Sequence, residues 1–336
     1  MERRSIRAKP APAPAVRRVA VDESSEGQRL DNFLVRLLKG VPKTHVYRVI
    51  RSGEVRVNAG RAAADTRLKC GDEVRVPPVR VSERPATASA AAAPAREFPV
   101  LFEDEHLLAL DKPAGVAVHG GSGVASGVIE QLRRARPEAR FLELVHRLDR
   151  DTSGVLLLAK RRSALTRLQD QFRARGVDKA VGKTYLALVS GAWPESRKVI
   201  DVPLHKFLTA DGERRVRRTD ADDAQGQRAI TLVKVARRLA GFTLLEVTIK
   251  TGRTHQIRVH LAGEGHPIAG DDKYGDFDLN RRLAKGEVLP VRLERMFLHA
   301  WRLRVQHPAT GEEMAFESAL PAECQRVIDA LGDNAL

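Results

Sequence analysis

Apolar and polar positions alternate with a helical period near the start of the chain. The apolar residues of one predicted helix face recur at intervals of three and four positions, at Leu30, Phe33, Leu34, Leu37 and Leu38. This spacing predicts a helix that ends at Gly40, and a second short helix is predicted to begin near Thr44. The runs "EVRVN" and "DEVRV" alternate apolar and charged residues, which is typical of strands. These elements predict a small unit of two helices and a sheet.

A different pattern follows residue 97. Short apolar runs such as "LLAL", "GVLLLA", "KTYLALVSG", "ITLVKV" and "FTLLEVTI" predict strands, and helical stretches are predicted at 128–136 and 164–175. Strands and helices do not alternate regularly, so we expect a mixed, largely antiparallel sheet flanked by helices rather than a doubly wound parallel sheet. The predicted fold class is α+β.

Two segments contain too few apolar residues to form a core. Residues 1–18 carry six Lys or Arg and three Pro, which predicts a disordered basic arm that serves either solubility or long-range attraction to phosphates. Residues 81–96 hold seven Ala and two Pro and predict a flexible linker. The predicted organisation is therefore an arm over 1–18, a small domain over 19–80, a linker over 81–96 and a large domain over 97–336.

The overall charge narrows the class of partner. Among 336 residues, 58 Lys and Arg outnumber 43 Asp and Glu, giving a formal net charge of +15 that favours polyanions, and nucleic acid first among them. A membrane partner is not expected, because no run approaches about 18 consecutive apolar residues. The two cysteines, Cys70 and Cys324, fit a reducing cytoplasm and exclude a disulfide framework.

Basic residues cluster on the second predicted helix. Lys43, Arg48 and Arg51 are each typical of a solvated surface, but as a set on a compact module they favour phosphate contacts with RNA. The stretch "QRLDNFLVRLLKGVPKTHVYRVIRSGEVRVN" and the later "GDEVRV" resemble an S4-type RNA-binding domain over about residues 28–78.

The stretch "VHRLDRDTSGVLLLAK", residues 145–160, places two carboxylates directly before an apolar strand. A carboxylate near the interior needs hydrogen bonds or a cationic partner. Asp151 could bind the backbone of the local turn, whereas Asp149 is free to face a cleft. We therefore favour Asp149 as the reactive group.

Other polar segments interrupt the predicted strands of the large domain. In "DKPAGVAVHGG" the Gly and Pro content predicts a tight turn with Lys112 exposed at its tip. In "GKTYLALVSG" Tyr185 lies within a strand, where an aromatic residue belongs either to the core or to a ligand-binding surface.

The fourth segment, residues 248–275, contains three histidines that could suggest a metal site. We expect none at His255, His260 and His266, because no Cys or suitably spaced carboxylate completes a ligand set. Arg253 and Arg258 would also repel a cation.

Taken in order, "KPAG", "HRLDRDTSG", "KTYLALVSG" and "GRTHQIRVH" resemble the RluA family of RNA pseudouridine synthases, and the chain is most similar to the RluC branch over about residues 27–330. The segment "KFLTADGERRVRRTDADD" matches less well, so contacts at 205–223 are left unassigned. The resemblance implies isomerisation of specific uridines to pseudouridine in large-subunit (23S) ribosomal RNA, without a cofactor or metal.

The resemblance also implies roles for individual residues. Asp149 matches the nucleophile, Arg258 its basic partner and Tyr185 the aromatic residue that stacks on the uracil. The carboxylate could add to the ribose, add to the uracil or remove a proton, and the sequence leaves these routes open. Arg147 matches the residue that fills the space of the flipped nucleotide. Further RNA contacts are expected from Arg253 and His255.

Two other classes of protein remain as alternatives. A glycoside hydrolase would need two carboxylates and an aromatic-rich cleft, but aromatic residues make up only 4% of the chain. A non-catalytic RNA-binding or ribosome-assembly protein would share the basic charge and the S4-like part, and only the pairing of Asp149 with Arg258 distinguishes it. We expect a cytoplasmic monomer whose partner is ribosomal RNA.

Overall fold

A computed structural model describes residues 15–22, 25–38, 40–79, 94–120, 126–174, 181–209 and 212–332. The chain divides into two compact units, Met1–Ala90 and Ala91–Leu336. The division falls within the segment expected to be a linker. Residues 81–93 of that segment and residues 1–14 of the expected arm lie outside the described residues.

The amino-terminal unit contains the two predicted helices and a sheet. Its elements are β1 (Arg17–Ala20), α1 (Leu30–Leu37), α2 (Lys43–Arg51), β2 (Arg56–Val57), β3 (Gly60–Arg61) and β4 (Glu73–Val76), with sheet order β1-β4-β2-β3. The predicted apolar face of α1 is buried against α2 and the sheet. The helix ends at Leu37, three residues before the predicted Gly40, because Leu38 leaves helical geometry.

Strand β1 corrects the predicted limit of the basic arm. Arg17 and Arg18 were expected to be disordered, but they pair antiparallel with β4, and Arg18 donates a hydrogen bond to Glu73 at 2.8 Å. The strand forms because Val19 packs against the core of this unit and Val21 is buried within it.

The carboxyl-terminal unit is built on a large mixed sheet. Its strands are β5 (Val100–Glu103), β6 (Leu107–Lys112), β7 (Glu143–Leu144), β8 (Ser153–Ala159), β9 (Gly182–Ser190), β10 (Val199–Asp201), β13 (Ile230–Leu239), β14 (Phe242–Ile249), β15 (Leu298–Gln306) and β16 (Glu313–Glu317). Their order is β10-β13-β14-β9-β15-β8-β6-β5, with β7 beside β8 and β16 beside β15. Strands β8 and β15 run parallel, and the other described pairs are antiparallel. The predicted α+β class is confirmed.

Helices and a hairpin surround this sheet. They are α3 (Val128–Ala135), α4 (Arg162–Arg173), α5 (Gln256–Gly263), α6 (Phe277–Lys285) and α7 (Ala322–Leu331), and the hairpin of β11 (Leu204–Leu208) and β12 (Arg214–Arg218). None of the helices in the described ranges has the length and apolar character needed to cross a bilayer.

Strands β6 and β8 are buried on both faces of the sheet. Along β6 and β8, alternate residues enter two different apolar clusters, so that Leu108 and Leu156 join one cluster and Leu107 and Leu157 join the other. This double burial explains why "LLAL" and "GVLLLA" are continuous apolar runs rather than alternating ones.

Candidate active site

The loop over residues 145–152, named here the Asp149 loop, leads into β8 and is held at both ends. At its start, Leu157 N–H donates a hydrogen bond to His146 Nε2 at 3.1 Å. At its end, only glycine fits at Gly154, where φ is +108° and a Cβ would lie 2.2 Å from the carbonyl oxygen of Ala300 on β15. These contacts hold the Asp149 loop against two neighbouring strands, β8 and β15.

Lys112 supports the same loop from the interior, which contradicts the expectation that it is exposed. Its side chain is fully buried, and Nζ donates hydrogen bonds to the carbonyl oxygens of Pro113, Val116 and Arg150 at 2.7, 2.8 and 3.0 Å. Burial lowers the pKa of Lys112 to about 7. The turn rich in Gly and Pro suggested exposure, but Lys112 is the last residue of β6 and joins that turn to the Asp149 loop.

A cavity of about 790 Å³ brings the predicted groups of the large domain together. Its lining includes Arg147, Asp149, Tyr185, Arg253, His255, Ile257 and Arg258. Asp151 does not belong to this lining, and its carboxylate pairs with Arg150 at 3.2 Å. Of the two carboxylates that precede β8, Asp149 is the one that faces the cavity.

Asp149 meets two nitrogen-bearing side chains at the same oxygen. Arg258 Nη1 lies 3.5 Å from Asp149 Oδ2, and His255 Nε2 lies 4.0 Å from it. The Asp149 side chain is 29% exposed, whereas that of Arg258 is 3% exposed. The carboxylate is therefore reachable from the cavity, with the guanidinium buried behind it.

Arg258 is held by carboxylates on its far side. It donates two hydrogen bonds to Asp271, at 2.6 and 2.7 Å, and one to Asp272 at 3.0 Å. Burial opposes the charge on Arg258, but the hydrogen bonds and charges of these carboxylates outweigh it and raise the pKa of the guanidinium. The same hydrogen bonds lower the pKa of Asp271, although its burial acts in the opposite direction. Arg258 is a charged and immobilised partner for Asp149.

The turn before α5 sets the position of His255. Gln256 accepts hydrogen bonds from Thr251 Oγ1 at 2.7 Å and from Arg253 N–H at 3.0 Å, and donates to Thr231 Oγ1 at 3.0 Å. His255 has a φ of +53°, in the left-handed region that non-glycine residues seldom adopt. Such backbone conformations concentrate at functional sites, where the surrounding structure enforces them.

Tyr185 belongs to both the core and the cavity. It lies on β9, is 8% exposed and packs in the larger apolar cluster. Burial raises the pKa of its hydroxyl, and the nearby charge of Asp149 adds to this rise. Ile257 is also buried and contributes apolar surface to the cavity.

The three histidines of the fourth segment do not share a site. His260 Nδ1 lies 2.8 Å from Thr231 Oγ1, and His266 Nδ1 lies 2.9 Å from the carbonyl oxygen of Ser190. Within the described residues, no group of three or more His, Cys, Asp or Glu side chains is arranged to hold a metal ion.

Several residues of the site have no role indicated by the sequence patterns described above. Asp271 could have been inferred, because a buried arginine requires a carboxylate partner and "GDD" follows Arg258 within 14 residues. Lys183, which is buried, lines the cavity with Nζ 5.5 Å from the ring centroid of Phe172. Tyr274 contacts His255 and Arg258, which no sequence pattern indicated.

The predicted basic surface of the amino-terminal unit lies on α2. Lys43, Arg48 and Arg51 are exposed there, whereas Val46 and Val49 are buried in the core of that unit. The charged residues therefore form a solvent-facing basic surface, named here the α2 surface.

Comparison with known proteins identifies the two parts of the chain. Residues 106–263 match the RNA pseudouridylate synthase family, and residues 28–74 match the S4 domain. The chain is 49% identical over 325 residues to ribosomal large subunit pseudouridine synthase C of Salmonella typhi, covering 96% of this chain and 98% of that protein. It is 50% identical over 321 residues to the protein of the same name from Escherichia coli strain K12, covering 95% and 97%.

The fold agrees with a solved structure. Human RNA pseudouridylate synthase domain containing 4 superposes with a TM-score of 0.55 at 28% identity, covering 69% of this chain and 92% of that one. These matches favour an isomerase over the glycoside hydrolase and the non-catalytic RNA-binding protein. The chain belongs to the RNA pseudouridylate synthase family and is an RNA pseudouridine synthase that carries an S4 domain.

Proposed function

We propose that this enzyme converts specific uridines of large-subunit (23S) ribosomal RNA into pseudouridine, with Asp149 as the nucleophile and with the target base flipped into the cavity. The names of the relatives support this substrate, since proteins about half identical over nearly the whole chain are called large subunit pseudouridine synthases. Ribosomal RNA as substrate implies action in the cytoplasm, and the expected monomer stays a prediction.

The observation that carries the proposal is the carboxylate of Asp149, exposed to the cavity and paired with a buried guanidinium at 3.5 Å. The isomerisation breaks the bond from C1′ to N1 and forms one from C1′ to C5, while C5 loses a proton and N1 gains one. A carboxylate can begin it by adding to the ribose or the uracil, or by removing a proton. Each route uses the anion, and Arg258 supplies the compensating positive charge.

The position of the carboxylate inside the cavity supports base flipping. A uridine stacked in an RNA helix would not reach Asp149, so the nucleotide has to rotate out of its stack. The ring of Tyr185 then stacks on the uracil, and Ile257 supplies an apolar contact. Arg147 is exposed on the Asp149 loop and takes the place of the flipped nucleotide.

RNA binding is shared with the amino-terminal unit in this proposal. Lys43, Arg48 and Arg51 of the α2 surface bind phosphates, and Arg253 and His255 contact the RNA at the cavity. Phosphate contacts of this kind position RNA without reading its sequence. The exposure of the α2 surface and the net charge of +15 support this division.

The test is the mapping of pseudouridine in ribosomal RNA transcribed in vitro and treated with purified protein. We expect the wild-type enzyme to modify discrete positions of large-subunit RNA, and Asp149→Ala to lower the rate at least about 10³-fold because the reacting group is removed. Asp151→Ala is the matched control, and we expect it to stay within about tenfold of wild type since Asp151 lies outside the cavity lining.

The outcomes separate the parts of the proposal. Modification by Asp149→Ala at the wild-type rate would overturn the assigned nucleophile. Modification of small-subunit RNA or transfer RNA, with none in large-subunit RNA, would overturn the proposed substrate and leave the nucleophile standing.

A further inference from the structure

Tyr274 packs beneath both side chains that approach Asp149. Its ring centroid lies 5.2 Å from Arg258 Cζ and 5.5 Å from the ring centroid of His255. Its hydroxyl oxygen lies 2.8 Å from His255 Nδ1. The backbone N–H of Tyr274 donates to Asp271 Oδ1 at 3.0 Å, so the same carboxylate fixes Tyr274 and Arg258.

The hydrogen bonds of the Tyr274 hydroxyl favour one direction for its proton. Val216 N–H, on β12, donates to this oxygen at 3.0 Å. A backbone amide can only donate, so the hydroxyl acts as acceptor toward Val216. Its single proton remains to be donated, and His255 Nδ1 lies within hydrogen-bond distance to accept it.

This arrangement favours one tautomer of His255. A neutral imidazole carries one proton, and a ring whose Nδ1 accepts a hydrogen bond carries that proton on Nε2. Nε2 is the atom that faces Asp149 Oδ2, at 4.0 Å. In the opposite tautomer, the lone pair of Nε2 would face the carboxylate, which is unfavourable.

The surroundings of His255 favour its neutral form. Burial lowers its pKa, and the positive charges of Arg258 and Lys273 lower it further, while Asp149 and Asp271 act in the opposite direction. The net direction is downward, which favours the neutral ring, and the tautomer of a neutral ring depends on the partners of Nδ1 and Nε2.

We propose that Tyr274 is a positioning residue for the isomerisation, whose hydroxyl holds His255 with its Nε2–H toward Asp149. The N–H then helps to orient the carboxylate beside Arg258. This inference rests on the proposed role of Asp149 as the reacting group. A purely structural Tyr274 would fill space beneath Arg258, and phenylalanine would fill that space equally well.

The first test reads the tautomer directly, by nitrogen NMR of full-length protein with ¹⁵N-labelled histidine. We expect His255 of the wild type, assigned by loss of its signals in His255→Gln, to carry its proton on Nε2. In Tyr274→Phe we expect a mixture of tautomers, because Nδ1 has lost its donor. A proton on Nδ1 in the wild type, or an unchanged tautomer in Tyr274→Phe, would overturn the proposal.

The second test measures single-turnover isomerisation at saturating enzyme, together with RNA affinity. We expect Tyr274→Phe to slow the reaction by about fivefold to tenfold, the loss corresponding to one hydrogen bond, with RNA affinity within about twofold. Tyr47→Phe is the matched control, because its hydroxyl donates to Asp31 in the amino-terminal unit. A wild-type rate in Tyr274→Phe contradicts the proposal.

A double variant separates an effect through His255 from an effect on stability. In His255→Gln the imidazole is absent, so adding Tyr274→Phe should cause no further loss of rate. Equal and additive losses would overturn the proposal even if Tyr274→Phe is unstable. Asp149→Ala is measured in parallel: activity in that variant would contradict the proposed function of Asp149, whereas the NMR result would still decide the tautomer.

Discussion

Two groups of positive charge in this molecule occupy opposite environments. Arg258 is 3% exposed and bound to carboxylates on both sides, whereas Lys43, Arg48 and Arg51 of the α2 surface are exposed to solvent. Charges interact strongly where water is excluded and weakly where it screens them. A buried cation therefore acts through the particular side chains that it contacts. A set of exposed cations acts through its total charge.

The largest effect is expected at the buried charge. Arg258→Met should lower the free energy of unfolding by about 3–5 kcal/mol, because it leaves the carboxylate of Asp271 buried without its partner. Chemical denaturation measures this loss. The matched control is Arg228→Met, which breaks an ion pair of similar length, 2.8 Å, between exposed Arg228 and Asp201.

We expect the control to change stability by about 1 kcal/mol or less, because solvent screens exposed pairs. Equal losses in Arg228→Met and Arg258→Met would contradict the contrast between buried and exposed charge.

Removal of the exposed charges should act on binding rather than on chemistry. Replacing Lys43, Arg48 and Arg51 together by Ala should make the slope of log affinity against log salt shallower by about 2–3. This estimate assumes one phosphate contact for each residue and about 0.7–0.9 of slope for each contact. Binding to a ribosomal RNA fragment over a salt series measures this slope. The single-turnover rate at saturating enzyme should remain at the wild-type level.

The single variants of the α2 surface sharpen this prediction. Each should lower the slope by a similar share, since exposed contacts contribute independently. One variant that accounts for the whole change would show that a specific contact, and not summed charge, governs binding there.

A smaller effect is expected from His146, a partly buried histidine of the Asp149 loop. His146 stacks on Phe172 with ring centroids 5.1 Å apart, and burial lowers its pKa to about 3. Below its ordinary pKa of 6.5 the unfolded chain binds a proton that the folded protein does not, so stability decreases as the pH falls from 6.5 toward 3. The decrease attributable to His146 is at most about 1.4 kcal/mol per pH unit.

The measurement compares unfolding free energies of wild type and His146→Gln between pH 7 and pH 5. Only the pH dependence is compared, so any constant loss from the substitution does not matter. Parallel curves for the two proteins would show that His146 is not the group responsible.

The smallest expected effect is that of a chelator. We expect pseudouridine formation to continue at an unchanged rate in excess EDTA, because the proposed chemistry uses Asp149 and Arg258 without a metal. Loss of activity that added zinc restores would show that a metal takes part.

The fold was predictable where burial imposes a simple period. The leucine spacing of α1 and the apolar runs of β6, β8, β9, β13 and β14 predicted elements that the structure confirms. Strand β15 was not predicted, although it lies at the centre of the sheet between β9 and β8. Its neighbours are distant in sequence, and no local pattern encodes such pairing.

The site was predictable to the extent that its residues lie in recognisable segments. Asp149, Tyr185 and Arg258 line one cavity, as their segments suggested, while their chemical roles stay predictions. The supporting contacts were not predictable, because they depend on tertiary structure. The sequence indicated that Lys112 is an exposed turn residue. Its buried side chain is stabilised by hydrogen bonds to carbonyl groups, one of which belongs to the distant Arg150.

The central position of β15 makes the site depend on a segment that is synthesised late. Residues 298–306 separate β8 from β9, and Arg295 just before them donates hydrogen bonds to the Asp151 carbonyl and Ser153 Oγ at 3.3 and 2.8 Å. Until this segment leaves the ribosome, the Asp149 loop and Tyr185 have no strand to join them. The strand and arginine that hold the Asp149 loop in place are therefore supplied by a segment about 150 residues further along the chain, so the site can be complete only after residues 295–306 have been synthesised.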